Sequence, residues 1–289
     1  MKKSALTLHR DEPAKAGVWR IASALIDGAL RPPGDDPVAD GHFLRTTTKR
    51  LRALLRLIRP AIGKGVFERE NARLKRAASR LASSRDRAVA ARTFQALAAS
   101  AASRHSRRAS NETAAGATRR AMRLAARDLA QSRRSFQRMR IVSAGWEAFG
   151  PGLARVYRAA RRRMQAAYAH PTDRAFHRWR IRLKQLGYQL EWLAEVWPKR
   201  FATMLKHLHQ LEKKLGADHD LVVLRSMLET APAWSDDADL IGQVKKSAVR
   251  KSQQLRRDSR PLGAKAFGEK PGRFGRQCRR HWQAWPKRK

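Results

Sequence analysis

The chain has 289 residues, with 64 lysines and arginines against 24 aspartates and glutamates, a formal net charge of +40 at pH 7. A body so charged repels itself and draws polyanions, so nucleic acid, an anionic membrane or a phosphate polymer come before any cationic or neutral partner. The single cysteine, Cys278, excludes intramolecular disulfides, and no stretch approaches the roughly 18 consecutive apolar residues that a spanning helix needs.

Hydrophobic residues make up 42% of the chain, much of it alanine, and Ala, Leu, Arg and Lys outnumber Val and Ile, so an all-α fold is expected. A first helix is expected over residues 10–30 with Val18, Ile21, Leu25 and Ile26 inward, closed by the loop Arg31-Pro-Pro-Gly-Asp-Asp-Pro. No apolar run of signal-peptide length precedes it, which leads us to expect a cytoplasmic protein. The second helix, His42 to Pro60, sets Leu44, Thr48, Leu51, Leu55 and Ile58 on one apolar stripe. On another face, His42, Arg45, Lys49, Arg52, Arg56 and Arg59 repeat every three or four residues. Neighbouring cations then stand roughly 5–6 Å apart at Cβ, which destabilises the helix by itself. Such a row is either a solvated face or a track for a polyanion. A third helix over about residues 65–81 faces Leu74, Ala77, Ala78 and Leu81 inward, and Arg69, Arg73, Arg76 and Arg80 form another basic row.

Ser84 is the expected N-cap of a fourth helix, with Asp86 in its first turn and Val89, Phe94 and Leu97 on its apolar side. The small and polar run Ser100–Ser110 is the expected loop between halves. A long helix from about Glu112 to Val142 carries Arg120, Arg123, Arg127, Arg134 and Arg138 along one side. Gly145 to Gly152 reads as punctuation, and a helix over 153–168 lines up Arg155, Arg158 and Arg162. Thr172 or Asp173 caps the next helix, which ends by Pro198. Residues 200–215 form another, with Phe201, Leu205, Leu208 and Leu215 inward and Gly216 as C-cap. Asp218 is expected to cap its successor, which holds Leu221, Val222, Leu224 and Leu228. A loop at 231–239 and a last bundle helix at 240–257 follow, and the basic tail 261–289, with Trp282 and Trp285, is expected to dock loosely.

The helix after Pro171 echoes the second one. His177, Arg180 and Lys184 each follow His42, Arg45 and Lys49 by 135 positions, and Leu190 and Leu193 align with Leu55 and Ile58. Downstream, Leu81-Ala-Ser-Ser-Arg85-Asp86 and Leu215-Gly-Ala-Asp-His219-Asp220 match at an offset of 134. A shared basic spacing followed by a shared Leu-x3-basic-Asp at almost the same offset indicates internal duplication. One helical domain over 10–257 is expected, with halves of about 10–105 and 112–257.

These residues carry a family resemblance. The pattern H-x2-R-x3-K-R-L-R from His42 to Arg52, H-x2-R-x3-K-x3-Y-x2-E from His177 to Glu191, and the Leu-Gly-x2-His-Asp-Leu beyond resemble the CHAD domain, the conserved histidine α-helical domain, over about residues 10–256. The resemblance implies two pseudo-symmetric helical bundles around a basic central channel or groove, and non-catalytic binding of inorganic polyphosphate at polyphosphate granules. Gly187 stands where the family usually has a basic residue. Lys49 and Lys184 stand where arginine is common, which keeps the charge but loses the bidentate fork.

Carried onto this chain, Arg45, Lys49, Arg50, Arg52, Arg56, Arg180 and Lys184 are the expected phosphate contacts, with His42 and His177 as hydrogen-bond donors. Arg69, Arg73 and Arg76 and the long-helix row Arg120, Arg123 and Arg127 would widen the field. The rows are almost pure cation and recur in at least four helices, which favours a polyanion over a solvated face. Asp86 and Asp220 are expected to cap helices or pair with arginines, and Tyr188 and Glu191 to pack near Lys184. His207, His209 and His219 lack an HExxH or cysteine partner, so no metal site is expected. No nucleophile elbow or phosphate-cradling glycine loop occurs, and neither enzyme activity nor a cofactor is expected. Two other roles stay open: a sequence-independent nucleic-acid binder, and a regulatory partner of a triphosphate-processing enzyme. Against the first, Trp19, Trp146, Trp192 and Trp197 sit on apolar faces or at helix ends, not among the basic rows. No membrane partner is expected.

Overall fold

Helix-forming residues dominate the sequence, and in the computed structural model they fold into helices without any strand among the described residues, 6–31, 37–99, 112–230 and 237–285. Of residues 37–39, 82–88 and 112–118 only the backbone is described. Eleven helices follow in order: α1 (Ala14–Ala29), α2 (Pro37–Leu57), α3 (Arg59–Ile62), α4 (Lys64–Arg80), α5 (Ala82–Ala99), α6 (Glu112–Arg138), α7 (Gly145–Ala169), α8 (Asp173–Trp192), α9 (Pro198–Thr230), α10 (Ala238–Phe267) and α11 (Pro271–Ala284).

The α2 stripe builds the centre. Leu51, Leu54, Leu55, Leu57 and Ile58 are fully buried, and α2 packs against α1, α4, α6, α7 and α8. Each buried leucine contributes about 1.5–3 kcal/mol over exposure to water, so Leu51→Ala falls in the class that costs about 2–5 kcal/mol. On α8 the inward row is heavier, with Phe176, Trp179, Leu183, Leu186, Leu190 and Trp192 all buried. The two helices meet antiparallel: Arg50 pairs with Glu191, and the buried Gln189 Nε2 donates to the Ala53 carbonyl at 3.0 Å. Helix α7 crosses the end of α2 at Gly152, where a Cβ would lie 1.8 Å from the Leu57 carbonyl oxygen. Only glycine allows that approach.

A second core lies elsewhere, built from Ala90, Phe94 and Leu97 of α5, Leu221, Leu224 and Leu228 of α9, and Leu240, Val244 and Ala248 of α10. Helix α5 therefore packs with the C-terminal helices, whereas α6 packs on α1, α2 and α4. The packing does not follow the expected boundary at 105–112: each half lends a helix to the other.

Other boundaries move for physical reasons. Gly145 to Gly152 is no break; α7 starts at Gly145 and runs through Pro151, because the close packing of Gly152 on α2 holds the backbone there. Residues 200–230 form one helix, not two. Gly216 costs about 1 kcal/mol against alanine inside a helix, but Leu211, Leu215 and Leu221 are buried on both sides of it. Asp218 caps nothing: its Oδ1 accepts from Ser252 Oγ and Arg256 Nε. Asp220 likewise lies inside α9. Ser84 falls within α5, and the side chains of Ser84, Arg85 and Asp86 are outside the described residues, as is the expected loop Ser100–Ser110. Where caps were expected at Thr172, the structure has one, with Thr172 Oγ1 accepting from the Ala175 N–H at 3.2 Å.

The C-terminal stretch is docked, not loose. Helix α10 continues past Pro261 to Phe267, and α11 buries Phe274 and Cys278 against α7. Tyr157 stacks on Phe274 with ring centroids 4.0 Å apart and donates to the Glu269 carbonyl at 2.9 Å. Burial pushes the Cys278 thiol up to about 12, so it stays a protonated core side chain.

Candidate functional site

The α2 basic row lies along α4. Arg45 Nη1 donates to the Leu81 carbonyl at 3.5 Å, at the end of α4. Two turns further, Arg52 Nε and Arg56 Nη1 both donate to Asn71 Oδ1 at 3.2 Å, and Arg56 Nη1 also reaches the Arg52 carbonyl at 3.0 Å. Arg56 and Arg59 lie over the Phe67 ring, 5.7 and 4.6 Å from its centroid. From α8, Arg182 adds its charge, its own Nη1 held by Gln185 Oε1 at 2.8 Å.

Arg52, Arg56 and Arg182 therefore have amides and carbonyls as partners, and among the described residues no carboxylate pairs with any of them. Their titration records the cost. Burial first, then the fields of Arg52, Arg182 and Arg59, hold the Arg56 guanidinium down to about 9. Burial and Arg182 lower Arg52, and burial and Arg163 lower Arg182. An anion placed among these groups relieves the repulsion and gains charge-assisted hydrogen bonds.

The α8 row runs along α9. Lys184 pairs with Glu212, the His177 and His219 rings sit 4.6 Å apart, and Arg180 lies beside Gly216, whose added Cβ would be 3.8 Å from Arg180 Nη2. Between the rows, Arg50 pairs with Glu191 and lies 5.0 Å above the Tyr188 ring. His209 Nε2 approaches Glu191 at 3.8 Å. Burial, followed by Glu212, pushes the Tyr188 hydroxyl up to about 12.

The antiparallel crossing places Arg45 and Arg180 on opposite sides of the Ala53–Gln189 contact, about 12 and about 13.5 Å of helical rise away. His42, exposed near the start of α2, and His177, near the start of α8, lie further out still. Lys49 is half-buried in the α2 row. Arg69 and Arg76 are exposed on α4, while Arg73 is held by the buried Glu70. Arg120, Arg123 and Arg127 are exposed on α6, and neither they nor Arg69 and Arg76 join the hydrogen bonds of Arg52, Arg56 and Arg182.

Sequence reasoning missed Arg182 and Asn71. The duplication points away from Arg182, whose counterpart 135 positions earlier is Thr47. The signal that marks it is another row, Arg178, Arg182, Gln185 and Gln189 at helical spacing, polar yet with both glutamines buried.

Among the described residues, no group of three or more His, Cys, Asp or Glu side chains is placed to hold a metal ion, and no helix is long and apolar enough to cross a membrane.

The solved structures similar to this one include the crystal structure of the CHAD domain from the plant Ricinus communis, at 17% sequence identity and a TM-score of 0.56, covering 94% of this chain and 97% of that one. That likeness shows the fold. No curated protein matches the chain. The family model described as CHAD domain matches residues 23–229, and with the signature rows of α2 and α8 in place the chain belongs to the CHAD domain family.

Proposed function

We propose that the chain binds inorganic polyphosphate non-covalently, as a non-catalytic module, and is thereby recruited to polyphosphate granules in the cytoplasm. The observation that carries this function is the gathering of Arg52, Arg56 and Arg182 around amides and carbonyls instead of carboxylates. A phosphate chain would supply the missing negative charge, and guanidinium forks match its oxygens. The rows ending in Arg45 and Arg180 would extend contact to either side. The family's general association with polyphosphate supports the same function.

Nucleic acid fits less well. Stacking platforms for bases need exposed aromatic faces, and among the described residues no tryptophan is exposed: Trp179, Trp192 and Trp285 are buried, and Trp19, Trp146, Trp197 and Trp282 are partly so.

Calorimetric titration of long-chain polyphosphate at near-physiological salt tests the proposal, with Arg52→Ala/Arg182→Ala beside the wild type. The double variant removes two of 64 cations, so the overall field hardly changes. A loss of about tenfold or more in affinity is expected from two charge-assisted contacts. Unchanged affinity would mean diffuse attraction to a polycation and would remove the cluster as the site.

A further inference from the structure

Helix α8 carries cations on two opposite sides, and the two sides keep different company. Toward α9, Lys184 pairs with Glu212, and Glu191 on the same side of α8 holds Arg50 and approaches His209. The other side carries Arg174, Arg178 and Arg182, each four residues from the next. Side chains at that spacing stack on one helix face, about 5–6 Å apart at Cβ. Arg178 therefore stands next to Arg182 of the arginine cluster. Arg174 and Arg178 are exposed, and Asp173 at the start of α8 is taken up by Arg225 and Arg256.

Helix α7 adds a cation to that side. Gly152 lies against the Leu57 carbonyl, so the side of α7 that carries it faces α2. Arg163 follows Gly152 by 11 residues, about three whole turns, and returns to the same side. Helices α7 and α8 are joined by the short connection 170–172 and pack antiparallel on each other. That hairpin brings Arg163 across from Arg182, whose guanidinium is lowered first by burial and then by the field of Arg163. Arg163 is exposed, and among the described residues no carboxylate pairs with Arg163, Arg174 or Arg178. Like charges so close together cost stability on their own, and a polyanion laid along them removes that cost.

We propose that polyphosphate leaves the Arg52–Arg56–Arg182 cluster along the seam between α7 and α8, with Arg163 and Arg178 as its next phosphate contacts. The inference rests on the function proposed above. It adds contacts outside the signature rows, on the side of α8 turned away from Lys184 and its carboxylate. A short anion fills the cluster alone. A long chain continues past it, and each further guanidinium offers its phosphates a charge-assisted hydrogen bond.

Calorimetry of the full chain with long-chain polyphosphate and with tripolyphosphate tests this on the wild type, Arg163→Ala/Arg178→Ala and Arg52→Ala/Arg182→Ala. Arg120→Ala/Arg123→Ala removes two exposed arginines of α6 and measures the general field. Arg163 and Arg178 are exposed helix positions, where alanine suits the fold. Their variant is expected to lose about tenfold or more in long-chain affinity and to hold tripolyphosphate as the wild type does. The Arg52/Arg182 variant should lose affinity for both ligands. The α6 variant should change either affinity less than about twofold, because salt screens exposed charges that lie far from the ligand. A long-chain loss in Arg163/Arg178 no larger than that of the α6 variant would overturn the inference and leave the cluster standing, as would an equal loss of tripolyphosphate. Unchanged binding by the Arg52/Arg182 variant would overturn the function proposed above, and the seam with it.

Discussion

Two arginine clusters in this molecule differ in the company they keep. Where α8, α9 and α10 meet, Arg256 donates to both Asp173 and Asp218, Arg225 pairs with Asp173, and Ser252 completes the ring around Asp218. Burial lowers the Arg256 pKa, but the two carboxylates override it, and the net shift is upward. At the α2–α4–α8 cluster the same side chain meets Asn71, Gln185 and other arginines, and the shifts run downward. The first cluster is closed: its charges balance and it clamps three helices. The second is open. A net cationic centre that lowers the stability of the empty protein makes physical sense if an anion from outside completes it.

Breaking the closed cluster should have the largest effect. Asp218→Ala removes the buried carboxylate that Arg256 and Ser252 share, although Arg256 keeps Asp173, and thermal unfolding should register a loss of about 1–3 kcal/mol. Polyphosphate affinity, measured while the variant is still folded, should not change. Converting the open cluster into a closed one sharpens the comparison from the other side. Asn71→Asp sets a carboxylate where Arg52 and Arg56 already converge. The melting temperature should rise, by about 1 kcal/mol of added stability, while polyphosphate affinity falls about tenfold. If both quantities rise together, the empty cluster is not the binding site.

The smallest effect is a proton. With its pKa held near 9, Arg56 is partly deprotonated at pH 9 in the empty protein. Bound phosphate favours the charged form and raises that pKa, so the complex holds more protons than the separate components. Titrations at pH 9 in buffers of different ionisation enthalpy should show net proton uptake on binding. At pH 7, where Arg56 is protonated in both states, it contributes none. Proton release at pH 9 would contradict the assignment.

The sequence makes the helices of the site legible but not its centre. The α2 stripe and its cation row read directly from helical spacing, because one long helix carries both. Thr172 could be recognised as a cap because capping is local chemistry. Arg182 and Asn71 could not be paired with Arg56, because only the tertiary packing of α4 and α8 on α2 brings them together. Gly216, Asp218 and Pro261 mislead for one shared reason. Each is a local break signal that long-range contacts override: burial on both sides of Gly216, the ring of donors around Asp218, and the docking of α10 and α11 beyond Pro261. The tail looked polar because arginines fill its outer face, while Phe274, Cys278 and Trp285 turn inward at helical spacing.

The exchange of helices between halves bears on how the protein is made. Helix α5 leaves the ribosome early, with the apolar side chains of Phe94 and Leu97 ready to be buried, yet its partners in α9 and α10 are among the last helices synthesised. At about 5–20 residues per second, the wait is on the order of ten seconds. During that time a strongly cationic nascent chain shows an unmatched greasy surface beside ribosomal RNA. Helices α1, α2 and α4 can begin to pack on one another during that time, but the second core forms only once α10 is out.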